Sequence, residues 1–493
     1  MYYFLCILFK IVILAFAANP AHASLNNEWY PSNSKRLIKA ITSMSIDAQK
    51  IYADPFINSS SVRAIIVPHA GIQYSGTVAC AAYLKLDPST KRIIILAPDH
   101  RGIVNTIGLP STNNYALPNG TIAIDTAVIK RLVKQGIGTY ANSVFKSEHS
   151  YKVQLPFIKY YCPNASIVPL IIGNISCDYA QKVAIVLKKY INKNTVVIVS
   201  SDFVHYGQGY NFIPFNDHQQ LRVKNLNSQA VQCIEGKNCN TFNDFLHTTH
   251  ATICGAHPIL IFLKLLEMQL LGPIEPRLVA YDTSSKSNTD DFVSYISMIF
   301  TTQKRNNLPF DALLTNQEKQ GLITQASDTL THMLEPNFDA TLYYPLISYG
   351  VKQSNGVFAT LYGPQKTLRG CIGRITTDEP LHKTIATVTQ DAAQSDSRFR
   401  PLTKQQLQTT TVHLSILSKP QSIKNLTEIT LGKNGVIFEQ SIYSALFLPE
   451  VATEQGWSKE ELLNNLAQKA GLETDAWKKK ESHFKIFSTI TIP

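Results

Sequence analysis

Short apolar, β-branched runs punctuate the first 300 residues, and each ends in a polar or glycine-containing break. The runs at 63–68 (RAIIVP), 91–98 (KRIIILAP), 165–172 (ASIVPLII) and 195–200 (TVVIVS) show no alternating polar face. That is the pattern of strands buried on both sides. Helical spacing is expected at 34–52, 126–135 and 179–190, and DFVSYISMIF at 291–300 predicts a closing strand. Strand and helix in alternation define an α/β domain on a largely parallel or mixed sheet.

The polar stretch 301–310 then reads as a linker. Beyond it, helices are expected at 315–334, 381–391 and 458–470, the first capped by Thr315 with Glu318 three residues on. Strands are expected at 356–362, 411–417 and 435–440. This half reads as α+β, with no internal repeat relating it to the first.

Residues 1–23 carry Lys10, an eight-residue apolar run at 11–18, Asn19-Pro20 and the small-x-small site Ala21-His22-Ala23. That order predicts a secretory signal cleaved after Ala23, followed by a polar segment at 24–60. The rival is an uncleaved membrane anchor, but Lys10 splits a run that would need about 20 apolar residues to span. An exported, periplasmic protein is expected, with no transmembrane segment after cleavage.

The chain has 493 residues, 44% hydrophobic and 16% charged, which excludes disorder, collagen and coiled coil as the main architecture. The net charge of +11 lies in the first half. Residues 24–308 hold 27 basic against 17 acidic side chains, whereas 310–493 hold 18 of each. A basic domain suits anionic ligands. With no Lys/Arg run longer than three, no zinc-finger spacing and no RNA-binding aromatic motif, nucleic acid is not expected. Of the eight cysteines, Cys233 and Cys239 flank a short polar loop and predict a local disulfide in an oxidising compartment. The alternative is a pair of surface thiols.

The candidate chemistry lies just beyond the strands. One strand delivers Pro68-His69-Ala70-Gly71, another Asp99-His100-Arg101-Gly102, and a third Ser201-Asp202-Phe203-Val204-His205. Glu148-His149-Ser150 and Cys254-Gly255-Ala256-His257 follow the same style. In open α/β sheets such ends converge on one crevice. Taken singly, a strand-end histidine is more often a hydrogen-bonding residue than a ligand, and a buried cysteine more often inert packing. Together, imidazole, carboxylate and thiolate suit a transition metal or a hydrolytic site. No HExxH or paired CxxC occurs.

The ordered set VPHAGIQYSG, APDHRG, EHSYKVQLPF, SSDFVHYG and TICGAHPI resembles the Memo family, whose microbial members are known as AmmeMemoRadiSam system protein B. The resemblance covers residues 63–300, within a domain taken as 61–300. It implies a LigB-like fold, that of class III extradiol dioxygenases, whose metal is non-haem iron. It also implies His69, His100 and Cys254 as metal ligands. Asp202 and His205 would act beside them as acid/base groups, and Tyr74, His149 and His257 in ligand binding. Two imidazoles and a thiolate suit iron(II) or copper, one ion per domain. Lys152 departs from the family, which usually has Glu there.

Residues 311–493 form the second domain. LRGCIG at 368–373, DSRFRPLT at 396–403 and ALFLPEVATEQGW resemble the AMMECR family, known in microbes as AmmeMemoRadiSam system protein A. Arg369, Gly370, Cys371 and Gly373 mark its motif, and Ala445 stands where Gly is common. An arginine beside Cys371 can lower the thiol's pKa and hold an anion; a tight glycine turn around a packed cysteine is the alternative. The family implies a site and no chemistry. Three readings stand for the whole chain: a dioxygenase-like oxidoreductase; a copper, iron or ligand-binding module for a small molecule or peptide; and a component of a radical-SAM-associated modification system. Export argues against the third, since such iron–sulfur enzymes are cytoplasmic.

Overall fold

The computed structural model describes residues 29–52, 57–285, 291–304, 310, 314, 316–344 and 356–493. The expected signal at 1–23, the Thr315 cap and linker residues 305–309 lie outside them. Among the described residues no helix is long and apolar enough to cross a membrane.

Four parallel strands form the middle of the first domain, in the spatial order Val62–Val67, Thr195–Ser200, Arg92–Pro98 and Ser166–Ile172. Ile65 faces Ile198, Ile94 faces Val197, and all four are fully buried. A sheet covered on both faces needs such continuous apolar runs. Phe292–Thr301 closes one side antiparallel to Val62–Val67, and Glu275–Thr283 pairs outside it. The outer strand has only four fully buried residues, and its apolar signal was too weak to single it out.

Helices Ser34–Tyr52 and Thr126–Lys134 follow their apolar spacing, and Cys177–Leu187 continues into a 3₁₀ turn at Lys188–Tyr190. Three consecutive helices, Gln219–Glu235, Cys239–Thr249 and Ala256–Glu267, were not anticipated. The last buries nine of its residues. A helix apolar nearly all round gives no 3.6-residue rhythm to detect.

The disulfide expectation is corrected. Cys239 is bonded to Cys177, 62 residues away, and not to Cys233. Cys233 belongs to helix Gln219–Glu235, while Cys177 and Cys239 each open a helix, and these two helix starts meet with a Cα–Cα distance of 6.2 Å. Proximity in sequence was therefore the wrong guide. Closing a loop of this length stabilises by about 4 kcal/mol in the chain-entropy account. Reduction, or Cys177→Ser, is expected to lower stability of the first domain by about 2–5 kcal/mol in urea titrations. An unchanged midpoint would show that the bridge does not form.

The second domain holds two antiparallel four-stranded sheets. One runs Leu368–Arg374, Val357–Tyr362, Thr411–Leu417, Thr489–Ile492; the other runs Gln421–Ile423, His483–Phe487, Gly435–Gln440, Tyr443–Phe447. Helices Asn316–His332 and Leu381–Gln394 cover the first sheet through Leu322, Ala326, Ile385 and Val388, packed on Val357, Ala359, Leu361 and Leu414. Helix Lys459–Lys469 covers the second through Leu462, Leu463 and Leu466. The LRGCIG motif is a strand and not a turn. Its Gly370 lets helix Leu381–Gln394 approach, since a Cβ there would lie 2.0 Å from the Ala392 carbonyl oxygen.

Candidate metal centre

The parallel strands place His69, His100 and Asp202 two residues beyond their carboxyl ends, on one edge of the sheet. Cys254 arrives from the loop that opens helix Ala256–Glu267. Gly255 makes that approach feasible, because a Cβ there would meet the Ser201 side chain at 2.2 Å. Donor atoms of His69, His100 and Cys254 lie within 4.8 Å of one another, and Cys254 Sγ is 3.1 Å from His69 Nε2. Two further groups share these residues: His100, Glu148 and His149, and Asp202, His205 and Cys254.

Each imidazole is oriented from behind. His69 Nδ1 pairs with Ser200 Oγ at 3.0 Å, and that hydroxyl also accepts from Gln154 Nε2 and donates to the Ser150 carbonyl. His100 Nδ1 pairs with Glu148 Oε1 at 2.9 Å, while Glu148 Oε2 accepts from the His100 backbone N–H. Both rings therefore keep Nε2 for a ligand, the usual way a protein fixes a metal-binding tautomer. Asp202 Oδ1 accepts from the backbone N–H groups of His69 and Ala70, so this carboxylate holds the His69 loop as well as lining the site. His205 Nδ1 meets the Thr252 carbonyl at 2.9 Å.

Burial dominates the electrostatics. Burial, and then the neighbouring imidazoles of His100, His149 and His205, hold the His69 pKa well below 6.5. Burial and then His100 bring His149 down to about 3, with Arg101 and Lys152 adding and Glu148 opposing. Burial raises Glu148, but its hydrogen bonds and charge pairing with His100 prevail and leave it at about 2. Burial and then Asp202 push the Cys254 thiol up. Neutral imidazoles are what a metal needs as donors, and a bound cation supplies the countercharge a buried thiolate lacks.

Other expected site residues are placed as follows. His149 stacks on Trp29, ring centroids 3.9 Å apart, and on His100 at 4.5 Å. Tyr74 is exposed in the first turn of helix Ile72–Tyr83. His257 pairs through Nδ1 with the Ile175 backbone and joins none of the metal-capable groups among the described residues. Lys152 donates to the Lys146 carbonyl at 2.6 Å. Glu148 lies in the EHSYKVQLPF motif, and the sequence signal for its role is only an acidic residue beside a histidine. Trp29 carried no sequence signal at all.

In the second domain, Cys371 lies opposite Thr360, with Sγ 3.4 Å from Thr360 Oγ1. The arginine at its backbone is Arg398: its guanidinium donates to the Cys371 carbonyl at 3.0 Å and forks onto Asp396. Asp396 in turn accepts the Cys371 N–H at 2.8 Å. The Arg398 hydrogen bond holds Asp396 down to about 2. Arg369, the arginine adjacent in sequence, occupies a bulge in the pairing with Val357–Tyr362.

Fold and donor set define a two-domain chain whose α/β half carries a metal-capable imidazole–thiol pocket at the carboxyl edge of its parallel strands. The Memo-like protein family matches residues 19–299 and the AMMECR1 family residues 314–492. The chain belongs to the Memo-like family and is a Memo–AMMECR fusion. It is 30% identical over 303 residues to the protein memo-1 homolog of Caenorhabditis elegans, covering 59% of this chain and 85% of that one. Over 261 residues it is 29% identical to human protein MEMO1, covering 51% of this chain and 86% of the relative. Among solved structures, an uncharacterized protein from Pyrococcus horikoshii is 31% identical, covering 34% of this chain and 87% of that one, with a TM-score of 0.30.

Proposed function

We propose that the Memo-like domain is a mononuclear non-haem metal centre, in which His69, His100 and Cys254 hold iron(II) or copper for redox or dioxygenase-like chemistry. The observation that carries this reading is the convergence of three donors within 4.8 Å, both imidazoles held at Nδ1 from behind. A thiolate with two imidazoles is softer than the all-oxygen sets that magnesium and calcium take. When bound, such an ion supplies a redox-active centre with open positions, since three protein ligands do not fill its coordination.

The chain's own residues supply the rest. His205, with Nδ1 committed to the Thr252 carbonyl, keeps Nε2 to take or return a proton. Asp202, beside it, is fixed by two backbone N–H groups and raised by burial, with His205 opposing, so it can share that proton. Trp29, stacked on His149, offers an aromatic face suited to a planar substrate. The basic excess of this domain favours an anionic one. We place the protein outside the cytoplasm; the apolar leader and the Cys177–Cys239 bridge support export. The likeness to extradiol dioxygenases is an analogy of fold, and a thiolate in place of their carboxylate changes the donor charge.

The second reading, a copper- or iron-holding module without turnover, is favoured by that same soft thiolate. Anaerobically purified protein is expected to carry near-stoichiometric metal and to consume dioxygen with catechols or a reductant. Metal without dioxygen consumption selects the holding module. Failure to take up either metal on loading overturns both.

A further inference from the structure

The amino edge of the first domain's sheet, opposite the metal centre, holds a cavity that the metal chemistry does not use. Val62 opens the strand that ends toward His69, and it pairs with Thr301, which pairs on its other side with Glu275. Glu275 and Lys304 line a cavity of about 440 Å³ together with Lys237, Gln269, Glu267, Leu266 and Ile274. That volume falls within the roughly 300–1,000 Å³ of small-molecule pockets.

Positive charge prevails in this cavity. Lys237 donates from its ammonium to the Ile274 carbonyl, a neutral acceptor. Burial lowers its pKa, with Glu275 opposing, so the carboxylate compensates the charge only in part. Lys304, across the cavity, has neither an ion pair nor a side-chain hydrogen bond among the described residues. Of the two carboxylates, Glu267 is already committed: Oε1 accepts from the Cys239 N–H at 2.9 Å and Oε2 from Lys264 at 2.6 Å. Two ammonium groups therefore stand against Glu275, one negative charge short of balance. Further cations border the same edge on neutral partners. Lys188 donates to the carbonyl of Leu270, next to Gln269, and Arg63 donates to the Lys193 carbonyl.

The local backbone is not the one that chain reversal alone would favour. Lys237 takes a φ of 55° and Gln269 a φ of 52°, in the left-handed region that disfavours side chains. Helix Gln219–Glu235 ends on Gly236 in ordinary right-handed conformation, so the glycine stands one position before the place where it would relieve strain. What lysine gains at 237 is its reach into the cavity.

We propose that this cavity binds a small organic carboxylate: Lys237 and Lys304 hold the carboxylate group, and Leu266 and Ile274 receive an apolar body. The assignment is independent of the metal centre, which lies at the opposite edge of the same sheet.

The test is protection of lysines from acetylation by sulfo-N-hydroxysuccinimidyl acetate, read by mass spectrometry of peptides from the full, unreduced chain. 4-Phenylbutyrate is expected to protect Lys237 and Lys304 while exposed Lys130, on helix Thr126–Lys134, keeps its rate. 4-Phenylbutyramide has the same body without the charge. Its half-protecting concentration should be at least about fivefold higher, the scale of one exposed ion pair. Lys237→Gly suits the left-handed backbone and should leave the urea midpoint unlowered. Protection of Lys304 by the acid should nevertheless fall to the level given by the amide. Equal protection by acid and amide, or protection of Lys304 unchanged in Lys237→Gly, overturns the proposal. Protection by inorganic phosphate without protection by 4-phenylbutyrate overturns the organic ligand, and no protection by any of the three overturns the site.

Discussion

Cys254→Ala and His100→Ala are each expected to weaken binding of iron(II) or copper(I) by more than about 100-fold, beyond the range seen when only a supporting residue is lost. The reason is geometric as well as chemical. Cys254 Sγ lies 3.1 Å from His69 Nε2, and as a thiolate on a bound metal it would be the one charged donor of the three, with no substitute within that group. Glu148→Gln should behave differently. It keeps the size of the side chain at His100 but removes its charge, and a loss of about 10–100-fold is expected. Competition against a chromophoric chelator under anaerobic conditions measures all three variants. Thermal melts recorded alongside separate a lost ligand from a lost fold. Wild-type affinity in Cys254→Ala and His100→Ala would remove the proposed centre. Equal losses in all three would instead mark Glu148 as a ligand, which its membership of the group with His100 and His149 allows.

The second large effect belongs to the AMMECR domain. Gly370→Ala would place a Cβ 2.0 Å from the Ala392 carbonyl oxygen, a backbone atom in the last turn of a packed helix. Neither partner can yield without lifting helix Leu381–Gln394 off the sheet, and a loss of about 3 kcal/mol or more is expected. The contrast is Gly373→Ala, where the nearest atoms belong to the partly buried Phe358 ring at 2.3 Å and the nearest backbone atom, the Val357 carbonyl oxygen, lies farther off at 2.6 Å. Its cost should be smaller. The two domains have separate cores, so the denaturation transition of the first should not move in either variant. An unchanged second transition in Gly370→Ala would mean that the helix does not dock as described. These glycines explain much of the LRGCIG motif as packing.

Where sequence reasoning succeeded, the signal was local. Thr195–Ser200 and Thr411–Leu417 begin and end where their apolar runs do, because a strand buried in a sheet must be continuous in its burial. Helix Ser34–Tyr52 shows the same economy: Leu37, Ile41, Ala48 and Tyr52 trace one buried stripe. The chemistry at the strand ends was equally legible, since a parallel sheet carries its functional residues at one edge regardless of how its strands are ordered.

The failures were all matters of distance in space. Cys177 and Cys239 open two helices whose starts meet only after the sheet and helix Ala256–Glu267 have packed, and no spacing along the chain encodes that. Arg398, and not the adjacent Arg369, reaches the Cys371 backbone because a loop folds back 27 residues later. His257 follows Cys254 by three residues, yet it turns to the Ile175 backbone. The sequence by itself determined the strands, the two-domain order and the residue types available for chemistry, because burial and donor chemistry are properties of single positions. Only the tertiary structure decided which donors share a pocket, which nitrogen each imidazole presents and which cysteines bond, because these depend on distances set by packing between elements remote in the chain.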